Sequence, residues 1–186
     1  MTLTGMAGLP KDRASLAAAL ASLAVFTAGA TVGYIALADV ELFARATAES
    51  EPAMSPWAIL GQNLGAILFM FSGAVTFGLT TLVGLAMLSA YVGATMAVGI
   101  GNVGLARLVS DTGMYAPIEF LGCLVAAAAG LYPAFTVIGA VFADRERPQL
   151  LHSYLNSLYG SLKIFALAAA LIVSAAAIEA IVLAIR

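Results

Sequence analysis

Two carboxylates, Glu119 and Glu179, and an adjacent amide pair, Gln62 and Asn63, interrupt stretches that are otherwise apolar. A carboxylate in a membrane span is costly, so it normally faces the bundle interior, a partner or a water-filled path. An ionised carboxylate accepts hydrogen bonds, a protonated one also donates, and an amide does both. Such residues can share a proton, line an ion path, bind a substrate or partner, or fix helix packing. The four fall on three separate apolar stretches, so only the fold can bring them together.

The surrounding chain sets the class. Of its 186 residues 62% are hydrophobic and only 10% charged, against about 25% charged in a soluble domain. It reads as all-α, a polytopic transmembrane helix bundle forming a single domain. The net charge of -2 is small and the eight Lys and Arg are scattered, which gives no footprint for nucleic acid. Cys123 is the one cysteine, which excludes an intramolecular disulfide and a cysteine-cluster metal site. No cofactor is called for.

A bilayer core of about 30 Å takes roughly 20 apolar helical residues. Residues 14–38 form such a run behind Lys11 and Arg13. Cleavage after Ala36-Leu37-Ala38 would make it a signal peptide, but its apolar stretch exceeds the usual ~7–15 residues, which favours a retained anchor. The apolar stretch 57–109 corresponds to about 80 Å of helix, enough for two spans. A break near Gly78–Thr81 divides it into 57–79 and 81–109. Gly61-x-x-x-Gly65 and Ala86-x-x-x-Ala90 fit close helix packing in lipid. Residues 113–142, with Pro117 in a first turn and Pro133 inside, and residues 162–185 complete about five spans.

Before the last span, Leu150, Leu151, Tyr154, Leu155, Leu158 and Tyr159 recur at helical spacing. They predict a short amphipathic interfacial helix over 148–161. His152 falls on its polar face, as a solvated histidine or, with Arg145 and Arg147, as part of a cytoplasmic docking element.

Loop charge sets orientation. Lys11 and Arg13 precede the first span, Arg145 and Arg147 lie in the loop before the last, and loop 39–56 is acidic. The N-terminus is therefore expected in the cytoplasm, with Arg107 as the dissenting charge. This topology puts Gln62, Asn63, Glu119 and Glu179 at similar depth in the outer leaflet, about 10 Å below its edge. They are expected to form one polar cluster. Two bland readings stand beside it: Glu119 as a first-turn carboxylate favoured by the helix dipole, and Glu179 as a packing contact to Asn63 or a backbone carbonyl.

The run Tyr115-Ala116-Pro117-Ile118-Glu119-Phe120, the small-residue stretch 126–130 and the closing Ala175-Ala176-Ala177-Ile178-Glu179-Ala180 resemble segments of the stage II sporulation protein M family. Gln62-Asn63 stands where that family tends to carry paired Asn before a Gly-containing span. The resemblance runs from about Trp57 to the C-terminus. Of the family's Pro-His-Gly-x-x-Glu pattern only Glu119 survives, with Tyr115 at the position of the His. The resemblance implies a multi-pass scaffold for cell-wall enzymes, or an accessory protein beside transport ATPases in export and immunity systems.

Motifs for catalysis are absent from the sequence. There is no His-Glu-x-x-His and no Gly-x-Ser-x-Gly. With Lys11 and Lys163 as its only lysines, the chain has no P-loop. The expectation is a non-enzymatic protein of the bacterial cytoplasmic membrane, embedded in the lipid bilayer and working with a protein partner. A homo-oligomer is compatible with it. The rival is a permease subunit that moves a substrate past Glu119 and Glu179.

Overall fold

The computed structural model describes residues 11–37, 55–143 and 147–185. Every regular element among them is a helix. Helix α1 (Lys11–Val32) ends in a π-helical turn, Gly33–Leu37. Helix α2 (Pro56–Phe71) runs into a 3-10 turn, Ser72–Ala74. Then follow α3 (Leu79–Val103), α4 (Leu105–Thr112), α5 (Ala116–Phe142) and α6 (Arg147–Ile185). Five of them (α1, α2, α3, α5 and α6) are long and apolar enough to cross a membrane. The chain is an all-α bundle of candidate spans.

Local sequence explains where the helices stop. Ser55 caps α2 by accepting from the Ala58 N–H, and Pro56 occupies the first turn, where a missing N–H costs nothing. The break between α2 and α3 needs two left-handed residues, Phe77 (φ 52) and Gly78 (φ 87). Glycine adopts that conformation freely, whereas Phe77 is held there by stacking on Tyr154 at 5.1 Å. A second left-handed glycine, Gly104 (φ 81), separates α3 from α4. The sequence had suggested one span over 81–109; the structure ends it at Val103 and starts an eight-residue helix.

Helix α5 is the axis of the bundle, with half of its apolar window buried. It packs on α1 through Phe26–Phe120 and through Ala14 and Ala18 against Leu131 and Tyr132. It packs on α6 through Gly122, beside Ile172, and Gly160, beside Tyr132. The beginning of α1, the α2–α3 turn, the end of α5 and the start of α6 lie on one face of the bundle, called here the N-terminal face.

The close helix contact lies at one of the two expected pairs and not at the other. A Cβ on Gly33 would overlap the carbonyl oxygen of Ala90, and one on Gly93 that of Ala30. Helices α1 and α3 therefore touch backbone to backbone along Gly29, Gly33, Ala86, Ala90 and Gly93. Ala86 and Ala90 do form part of a packing seam. Gly61 and Gly65 do not, because a Cβ on either would meet nothing within 4 Å. Close approach of backbones matters most where apolar side chains gain nothing over lipid, which makes this seam the principal α1–α3 contact.

The expected surface helix over 148–161 is the first part of α6, continuous with the last span as one 39-residue helix. Gln149, His152 and Asn156 stay exposed, while Tyr154 and Ser161 turn inward and bond to the bundle. The Tyr154 hydroxyl donates to the Ala74 carbonyl (2.8 Å) and Ser161 to that of Ala129. Both acceptors need help for a local reason. Pro133 has no N–H, so it cannot bond to the Ala129 carbonyl one turn back. Ala74 ends a 3-10 turn, and Met70, in the last turn of α2, has a carbonyl that takes the Thr81 hydroxyl at 2.6 Å. In lipid an unsatisfied carbonyl has no water to turn to.

This account makes Ser161 and Pro133 partners. Ser161→Ala is expected to lower stability by about 1 kcal/mol, within the range of interhelical hydrogen bonds in lipid. In a Pro133→Ala background the Ala129 carbonyl regains a helical donor, and the same change should then cost measurably less. A double-mutant cycle in detergent unfolding reads the difference; equal costs in both backgrounds would refute the pairing.

Candidate functional site

Asn63 projects from the second turn of α2 and Glu119 from the first turn of α5. The two helices run in the same direction, so these turns lie side by side at the far face of the bundle. The Asn63 side-chain Nδ2 donates to Glu119 Oε1 at 2.9 Å. Both residues are half-buried. Glu119 also sits where the helix N-terminus favours a negative charge. Glu119 is thus the first-turn carboxylate favoured by the helix dipole, and it, not Glu179, takes the bond from Asn63.

Glu179 approaches from α6, close enough for its charge to act on Glu119. Its level follows from the α5–α6 register, in which Ile172 lies beside Gly122. Glu119 is three residues toward the far face from Gly122, and Glu179 is seven from Ile172. Glu179 therefore stands about one turn, roughly 6 Å, further out than Glu119. These are backbone positions; in this antiparallel pair each side chain leans toward the start of its own helix, which brings the two carboxylates back toward one level. Glu179 is half-buried, and among the described residues it takes no hydrogen bond. Gln62 is exposed, about 100° round α2 from Asn63, and stands apart from the group.

The site opens in one direction. One turn below Asn63 is Ile67, and one turn below Glu119 is Cys123, both buried. With Met70, Leu85, Ala126, Ala127, Ala168 and Ile172 they form a continuous apolar core. Deeper still, Gly130 lets α5 lie against Met70 and Thr81 so closely that a Cβ would overlap both. Asn63, Glu119 and Glu179 thus have the far face above them and a packed plug beneath. The arrangement can exchange hydrogen bonds with a group arriving from the far side, or hold α2, α5 and α6 in register. Among the described residues no group of His, Cys, Asp and Glu has the makings of a metal site.

Of the proposed docking residues, His152 and Arg147 belong to the start of α6, at the opposite face. His152 is exposed on the first turns of α6, where its Nδ1 is 2.9 Å from the Asn156 side-chain nitrogen. Arg147 opens that helix, and Arg145 lies outside the described residues, as does most of the acidic loop 39–56. Lys163 sits further along α6 with its ammonium 4.6 Å over the Tyr159 ring, one turn toward the N-terminal face. A lysine that bends back along its helix carries its charge toward the nearer membrane surface.

Two features escaped sequence reasoning. One is the trio of side-chain donors, Thr81, Tyr154 and Ser161, which serve freed carbonyls on other helices. Pro133 was the available signal for the last of these. The other is Gly29-x-x-x-Gly33, a small-residue pair as plain in the sequence as Gly61-x-x-x-Gly65. Comparison of the chain with protein-family models, with curated protein sequences and with solved structures returns no significant match.

Proposed function

We propose that this chain is a non-enzymatic multi-pass protein of the bacterial cytoplasmic membrane, acting as a scaffold or accessory subunit for partner proteins. Its N-terminal face is cytoplasmic, in keeping with Arg13, Arg147 and the direction in which Lys163 reaches. The resemblance of residues 57–186 to the stage II sporulation protein M family supplies the class of partner: a cell-wall enzyme, or a transport ATPase of an export or immunity system. His152, Arg145 and Arg147 are the docking residues for a partner on the cytoplasmic side.

The observation that carries this reading is the plug beneath Glu119. A permease must expose its site to each side in turn. Here the N-terminal half is closed by fully buried side chains and by Gly130 against the α2 backbone, contacts with no slack to give. Asn63 and Glu119 then act as a polar clasp between α2 and α5. The rival, a permease subunit, draws on Glu179, a carboxylate within a span that no hydrogen bond holds among the described residues.

Substitution separates the two. Glu119→Gln keeps an acceptor oxygen for Asn63 and removes the charge. We expect Glu119→Gln and Glu179→Gln proteins to accumulate normally and to support the cellular phenotype of the parent chain. A permease that uses the carboxylates would keep its fold and lose flux with the same changes. That outcome, normal abundance with lost phenotype, would overturn the scaffold reading.

A further inference from the structure

We infer that α4 is an interfacial helix, seated in the headgroup layer of the far leaflet with Leu105 and Val109 immersed in lipid. Its eight residues give a length of about 12 Å, far too short to span. Gly104, left-handed and with open space around it, turns the chain out of α3 at the end of that span. Along α4 the apolar residues Leu105, Leu108, Val109 and Thr112 (through its methyl) share one face. Arg107, Ser110 and Asp111 share the other, with Arg107 and Asp111 paired at 3.7 Å.

The bundle covers only one edge of the apolar face. Leu108 folds back toward Gly99 on α3. Leu105 and Val109 are each 58% exposed, and no residue of α4 is buried. These two side chains lie on the side opposite Arg107, between the exposed Val103 at the end of α3 and the exposed Met114 just before α5. They thus continue the apolar belt that the spans present to lipid. A short helix with one charged face and one uncovered apolar face, joined at the edge of such a belt, belongs in the interface. Only residues 113–115 separate it from the helix that carries Glu119, so its seating fixes the depth of that helix end.

The test uses the full chain in phosphatidylcholine vesicles with a bimane label on Val109→Cys or, separately, on Arg107→Cys. Buried Cys123 in the unsubstituted chain gives the background. The label at 109 should emit at shorter wavelength, be quenched by lipids brominated near the headgroup and resist aqueous iodide. The label at 107 should show the reverse. Leu105→Cys repeats the lipid-facing measurement should Val109→Cys fail to fold. Iodide quenching at 105 or 109 equal to that at 107 would place α4 in water. Protection of 105 and 109 from iodide and brominated lipid alike would place them under protein. Either result overturns the inference.

Discussion

Gly33→Leu should remove most of the folded protein from the membrane, whereas Gly61→Leu and Gly65→Leu should leave it near parental abundance. All three are glycines in apolar helices, and the helix-forming tendency of leucine favours each change equally. The difference lies in what the new side chain meets. At Gly33 the first added carbon already overlaps a backbone carbonyl of α3, which cannot rotate out of the way. Helices α1 and α3 must separate to admit it, and the paired close contacts at Gly29 and Gly93 are lost with it. Overpacking in a tight core costs about 1–3 kcal/mol, more where the obstacle is backbone. At Gly61 and Gly65 a Cβ meets nothing, so leucine there adds only lipid-facing surface. Thermal unfolding monitored by size-exclusion chromatography distinguishes the three variants. Equal loss at all of them would mean that α2 is covered by something beyond the chain.

Gly130→Val should be comparably damaging, and it should not turn the protein into a channel. Gly130 lies where α5 meets both the Thr81 side chain and the Met70 backbone, and those two are joined by their own hydrogen bond. A valine there forces α5 off the α2–α3 hairpin and exposes the Met70 carbonyl. The cost adds overpacking to a lost buried hydrogen bond, about 2–4 kcal/mol together. The plug is a permanent part of the fold in this account, so the variant should aggregate or be degraded. Were it a gate, loosening it would yield a stable protein with raised ion leak across vesicles. Abundance and leak measured on one preparation decide between them.

The sequence carried the class of fold and the existence of the spans because both follow from long-range averages: too few charges for a soluble domain and runs of the right length. It carried Asn63 and Glu119 as members of one polar level, though not as each other's partner, because each is a polar residue about one to two turns inside its span at the same membrane face. Glu179 was harder. Its level depends on the α5–α6 register, which sets Ile172 beside Gly122 and which no local pattern encodes. Gln62 went astray because neighbours in a helix point about 100° apart, so both amides of the pair could not face α5.

The segment 148–161 shows a different limit. Its alternation of leucines with Ser, Asn and His reads as apolar toward lipid and polar toward water. In the bundle Tyr154, Ser157 and Ser161 turn inward, Tyr154 and Ser161 toward carbonyls freed by a turn and a proline on other helices. Leu151 and Leu155 face outward. Helical periodicity identifies two faces without saying which is buried. That choice depends on Pro133 and Ala74, distant in sequence. True amphipathic character of the surface kind lay in α4, concealed because Leu105, Val109 and Val103 prolong the apolar run of α3 past Gly104.

The central claim is that the chain works through a partner. The most direct test is a mild-detergent pull-down of the tagged protein from its native membrane, with mass spectrometry of what accompanies it. The account predicts stoichiometric recovery of a cell-wall hydrolase or a transport ATPase, retained in the Glu119→Gln, Glu179→Gln double variant. Recovery of the chain alone, together with carboxylate-dependent flux in vesicles, would contradict it.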